Sequence, residues 1–211
     1  MQKTRRSSRK LCVMEICLLA GLAVFLLSGA VSLQAQDQLA DKVVRLHVLA
    51  NSDTEEDQAL KLRVRDKVLA RATEILEQSA DRKEAEACLR GQLLELERIA
   101  AEEIAAAGYD YPVTVRLEDT VFPTKVYDGF TLPAGEYLAL RVVIGKGAGQ
   151  NWWCVVFPPL CTAAASDVSE TAMAAGLSEA DVGLITEEDS GYVLKFKCVE
   201  LWEQIKGRLG A

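Results

Sequence analysis

Apolar and polar positions recur in two rhythms along this chain, and the rhythm changes near Tyr109. Before it, a short alternating stretch leads into long segments of helical period. Val44, Leu46, Val48 and Ala50 form one apolar face of a first strand, with Arg45 and His47 on the other. Asn51-Ser52-Asp53 reads as a turn. Thr54, with Asp57 three residues on, caps a helix by accepting its first free N–H groups, and Glu55, Glu56 and Asp57 suit the positive end of the helix dipole. Leu60, Val64, Val68, Ala72 and Leu76 then recur every four residues and predict a buried stripe on a helix running to about Gln78. Asp81-x-x-Glu84 opens a second helix to about Ala107, with Ala85, Leu89, Leu93, Leu96, Ala100 and Ile104 as its stripe and Gly108 as its stop. The short linker makes the two helices antiparallel neighbours.

Beyond Tyr109 the period is two. Tyr111, Val113, Val115 and Leu117 alternate with Pro112, Thr114, Arg116 and Glu118, which predicts a strand with one wet face. Val121 to Tyr127 reads as the next strand, weakened by Pro123 and so an edge. Asp128-Gly129 and Pro133-Ala134-Gly135 mark turns, and Glu136 to Ile144 is a strong strand. Gly145 to Gln150 reads as a flexible hairpin loop. It lacks the GxxxxGK[ST] order, and no helix pattern follows to bind a phosphate. Asn151 to Phe157 is apolar on both faces, which predicts a central strand covered on both sides, and it must stop at Pro158-Pro159. Thr162 to Asp181 is rich in Ala, Ser, Glu and Asp and predicts loosely packed short helix. Tyr192, Leu194, Phe196 and Cys198 predict a last strand, and Leu201, Trp202, Ile205 and Leu209 a C-terminal helix. No internal repeat is present. The expected fold is α+β: one domain with an N-terminal strand, an antiparallel helical hairpin, an antiparallel β-meander, and a C-terminal strand and helix.

Composition adds a leader to this picture. At 211 residues, 50% hydrophobic and 26% charged, the chain suits one globular domain plus an appendage. Lys3, Arg5, Arg6, Arg9 and Lys10 precede an apolar run from Ile16 to Leu33, the order of a signal peptide or signal anchor. Ser28-Gly29-Ala30 offers small residues where a signal peptidase reads, and the run also nears the ~18–20 residues that span a bilayer. Cleavage and anchoring both stay open. We therefore divide the chain into residues 1–36, signal or anchor, and 37–211, an exported domain.

Charge then narrows the partners. The first 36 residues hold five of the 24 Lys+Arg and one of the 31 Asp+Glu, leaving 19 basic and 30 acidic residues, a net charge of −11. Such a domain is repelled by phosphate backbones and anionic lipid, so nucleic acid is excluded as a partner. Four of the six cysteines, Cys88, Cys154, Cys161 and Cys198, lie in the exported part. Cys154 and Cys161 are the local candidates for a disulfide across the Pro-Pro corner, and other pairings stay open. With one histidine and no paired CxxC, no metal site is expected, and no pattern requires a cofactor. The rival chemistry is a cysteine hydrolase, with His47 as general base to Cys154 or Cys161. Against it, two nearby extracytoplasmic cysteines tend to pair.

Two segments carry a resemblance. Arg45-Leu46-His47-Val48-Leu49-Ala50-Asn51-Ser52-Asp53, with Glu56 to Lys61 and Val64-Arg65-Asp66, resembles the N-terminal signature of stage II sporulation protein R. Asn151 to Cys161 resembles its second signature, and the likeness covers about Lys42 to Gly207. The resemblance implies a non-enzymatic signal of endospore formation. Such a protein is exported from the forespore into the space between the two membranes. There it activates a membrane-embedded aspartic protease of the mother-cell membrane, which then trims the precursor of sigma factor E. Such a signal must bind the activated receptor better than the resting one. We expect two surfaces to supply that preference: the turn Asn51, Ser52, Asp53 with Gln58 and Arg65, and the corner Trp152, Pro158, Pro159, Leu160. The alternatives are that Asn51 to Asp57 only cap a helix, and that the tryptophan strand is core with a rigid exit.

Overall fold

The computed structural model describes residues 15–24, 34–161 and 167–186. Residues 15–24 and 34–40 are helical, and the chain divides into a unit ending at Gln38 and a larger one beginning at Leu39. Among the described residues no helix is long and apolar enough to cross a membrane. Most of the basic and apolar leader, the last strand (Tyr192–Cys198) and the C-terminal helix (Leu201–Leu209) expected from the sequence lie outside the described residues.

The larger unit is a mixed α+β domain. Its elements are β1 (Val44–Leu49), α1 (Glu55–Leu76), α2 (Arg82–Ala106), β2 (Val113–Phe122), β3 (Lys125–Tyr127), β4 (Phe130–Leu132), β5 (Gly135–Ile144), β6 (Asn151–Phe157), α3 (Val168–Ala174) and α4 (Glu179–Thr186). Local chemistry sets both long helices where their caps lie. Thr54 accepts the N–H of Asp57 at 3.3 Å, and Asp81 accepts that of Glu84 at 2.9 Å while Glu84 accepts the N–H of Ala80. The stripe of α1 is buried at every expected position, as is that of α2 except half-buried Leu93.

Four strands form one sheet in the order β2-β5-β1-β6, with β3 and β4 as a separate hairpin. β2 and β5 pair antiparallel from Val113–Ile144 to Phe122–Gly135. The expected edge strand across Pro123 is interrupted there, because proline cannot donate to the ladder. β1 lies parallel to β5 and antiparallel to β6. This corrects the meander: β5 and β6 are not neighbours, so residues 145–150 form a crossover past the end of β1 instead of a hairpin loop. It also corrects the position of the tryptophan strand, which among the described residues is an edge. Burial explains the exchange. All six residues of β1 are buried, whereas β6 begins with exposed Asn151 and Trp152.

Each sheet face carries its own core. Leu46, Val48, Leu117, Leu140, Val142 and Cys154 pack beneath α1 and α2. The opposite face packs Ala139 and Val155 with Phe122, Tyr137, the β3–β4 hairpin and the short helices α3 and α4. Val168, Ala172, Val182 and Ile185 are buried, so residues 167–186 are well anchored, and Asp181 pairs with Lys42 at 2.6 Å. Alanine-rich composition suggested looser packing because small side chains give a weak periodic signal.

Candidate functional site

The turn after β1 binds the crossover loop instead of projecting from the surface. Asn51 donates through Nδ2 to Asp57 at 2.8 Å and accepts the N–H of Lys146 at 3.0 Å. The Ser52 hydroxyl donates to Asp57 at 2.5 Å, and Asp53 accepts the N–H of Gln150 at 2.7 Å. Gln58 donates to the Ser52 carbonyl at 2.8 Å and accepts from Lys61, whose ammonium also donates to the Gln150 carbonyl at 3.0 Å. Asn51, Ser52, Asp53 and Gln58 therefore form a clasp within the chain. The hydroxyl of Ser52 is the main influence holding the Asp57 carboxyl below its ordinary value, while burial pushes the Lys61 ammonium down. Glycine is required where the loop passes. A Cβ on Gly149 would collide with the Ser52 carbonyl, and Gly145 has φ +57° and faces the Asn51 side chain.

Sequence reasoning missed Lys61 and this loop as parts of one network. Lys61 lies four residues after Asp57, one turn along α1, but nothing local points to residue 150 as its partner.

Of the remaining expected contacts, Arg65, Trp152 and Leu160 line a groove of about 360 Å³ between α1, β6 and the β3–β4 hairpin. Arg65 stacks on Trp152 at 4.2 Å from the ring centre and pairs with Asp66 at 2.6 Å. Lys125 stacks on Trp153 at 4.1 Å. Tyr127 and Phe130 form the hairpin wall, and Leu160 lines the far end. Leu160 and Pro158 are buried, whereas Pro159 is half-buried against a second cavity beside Leu76 and Phe157. The structure thus brings Arg65, Trp152 and Leu160 together on one groove, whose lining includes none of Asn51, Ser52, Asp53 and Gln58.

The rival dyad is not assembled. Cys154 and Cys161 are joined by a disulfide, with Cα atoms 6.1 Å apart. Cys154 packs under the helices, while His47 lies on the opposite face beside Phe122 and Trp153. His47 Nε2 shares a hydrogen bond of 2.7 Å with Asn151 Oδ1, and burial lowers its pKa. Among the described residues no cluster of His, Cys, Asp and Glu could hold a metal ion.

Residues 40–167, more than half of the chain, match the family model described as stage II sporulation protein R. The chain belongs to the stage II sporulation protein R family. The stage II sporulation protein R of Bacillus subtilis (strain 168) is 37% identical over 154 residues, 72% of this chain and 69% of that protein. No solved structure matches. The clasp and the groove both lie within the matched residues, so they belong to the part that defines this stage II sporulation protein R homologue as a family member. Its role is accordingly in sporulation.

Proposed function

We propose that this protein is an exported intercellular signal of endospore formation, which activates a membrane-embedded aspartic protease and so triggers processing of the precursor of sigma factor E. The observation that carries this is family membership across residues 40–167. The protein is made in the forespore and acts in the intermembrane space, either released or held by its N-terminal segment. Its action is binding: it stabilises the active state of its receptor in proportion to the difference in affinity between the two states. The acidic charge of residues 37–211 supports a protein partner over nucleic acid. The structure divides the residues expected to touch the receptor. Arg65, Trp152 and Leu160 border a groove, whereas Asn51, Ser52, Asp53 and Gln58 hold the loop that leads into β6. Arg65 and the exposed side of Trp152 act by contact, whereas buried Leu160 and the second group act by positioning.

Co-expression with the protease and the sigma precursor in a non-sporulating host tests this. Precursor cleavage on a blot should require this protein, and Trp152→Ala should reduce it several-fold without loss of folding. Absence of cleavage with all three components correctly exported would reject the signalling role.

A further inference from the structure

The two edges of the four-stranded sheet each have one outward N–H capped, but they differ in charge and in the walls beside them. Exposed edges invite pairing with other chains, and proteins usually blunt them. On β2, the outward N–H of Val115 is taken by the Glu97 carboxylate of α2 at 2.9 Å, and Arg116, Glu118 and Asp119 charge the strand. On β6, the N–H of Val155 points to Cys161 Sγ at 2.9 Å. Residues of an antiparallel strand alternate in the side to which their backbone groups point. With Val155 turned outward, Trp153 and Asn151 are outward too, and Cys154 and Trp152 pair with Leu46 and Val48 of β1. Among the described residues nothing pairs with the outward groups of Asn151 and Trp153. Asn151 is exposed and Trp152 is 38% exposed.

The groove follows this edge. Trp152 and Trp153 are adjacent residues whose side chains point to opposite faces of the sheet, yet both line it. A space that reaches both faces of an edge strand runs along its outer side. Leu69 and Arg65 of α1 wall one side, and Tyr127 and Phe130 the other. Four residues of an added strand span about 13 Å, matching Asn151 to Cys154 before Cys161 closes the end. The charges balance: the cations Arg65 and Lys125 rest on the two tryptophans, and the carboxylates Asp66 and Asp128 line the rim. An aromatic wall without net charge suits an uncharged segment, with alternate side chains entering the two sides.

We propose that the outer edge of β6 at Asn151–Trp153 is a strand-addition site, occupied by an extended, uncharged segment of the partner protein. This rests on the signalling role proposed above and names how the receptor is held: backbone hydrogen bonds supply affinity, and the tryptophan-lined walls supply selectivity.

Proline substitution in the co-expression assay separates the two ideas. Asn151 is the first residue of β6, where proline is tolerated, and Asn151→Pro removes an outward donor without breaking the β1 ladder, together with the side-chain bond to His47. Asn151→Ala removes that bond alone and should keep several-fold more cleavage than Asn151→Pro. Val121→Pro removes an outward donor on the β2 edge, where Val121 is 75% exposed. Asn151→Pro should lower precursor cleavage at least ten-fold, and Val121→Pro should leave it unchanged. Equal cleavage by both proline variants overturns the edge site while leaving the signalling role intact. Failure of the wild type removes both. A second measurement stands if Asn151→Pro fails to fold: p-benzoylphenylalanine in place of Trp152 should cross-link to the protease on illumination. A cross-link only within the chain, or only between two copies of it, overturns the proposal.

Discussion

Arg45 is wholly buried, with no carboxylate beside it among the described residues. Its guanidinium lies 4.0 Å from the centre of the Phe122 ring and 4.9 Å from that of Tyr137, and Nη2 donates to the Tyr127 hydroxyl at 2.7 Å. Among the described residues Nε and Nη1 have no hydrogen-bond partner. Burial lowers the arginine pKa and raises that of Tyr127. Cation–π contact with a desolvated ring contributes roughly 2 kcal/mol, whereas each unsatisfied buried donor costs about 1–3 kcal/mol. The two nearly cancel, so the charge adds little net stability, and packing of the side-chain stem remains. Arg45→Met should therefore melt at or above the wild-type temperature in a circular-dichroism scan. A loss of more than ~2 kcal/mol would show that the aromatic cage outweighs the missing partners. The sequence placed Arg45 on the second face of β1 but showed none of its cage, since Phe122, Tyr127 and Tyr137 come from the distant β2–β5 region.

At the scale of elements, the clasp links the β1–α1 turn to the crossover that delivers β6. The turn and the cap were legible because Asn51 to Asp57 interact within a few residues of one another. The loop was not, since its partners lie about ninety residues away, as Lys61 and Gln150 do. Gly149→Ala places a methyl group against the Ser52 carbonyl, which belongs to a capped helix start and has little room to yield. It should destabilise the domain by about 1–3 kcal/mol, read as a lower urea midpoint with an unchanged slope. A midpoint equal to the wild type would mean that the loop is not held by the clasp. The glycines at 145, 147 and 149 look from sequence like a flexible linker. Their spacing instead lets one backbone cross closely over another.

In the whole molecule, the last described strand of the sheet, β6, pairs among the described residues only on its inner side and is pinned at its exit. The disulfide between Cys154 and Cys161 closes a loop with a sequence separation of seven around the Pro-Pro corner. By loop-closure entropy it stabilises the fold by roughly 2–3 kcal/mol. Reduction by dithiothreitol should lower the melting temperature by several degrees without unfolding the domain at 25 °C; no shift would mean that the corner is held by Leu160 packing alone. What the sequence by itself determined is what depends on near neighbours: the two helices with their caps and stripes, most strands, the break at Pro123, and the family through its two signature segments. Tertiary structure alone decided the strand order, the edge position of β6, the inward use of Asn51 to Gln58 and the meeting of Arg65 with Trp152. Periodicity records which face of a strand is apolar but not which strand lies beside it. β1 takes the centre because both its faces become buried once two separate cores form, and that outcome depends on residues far from it in the chain.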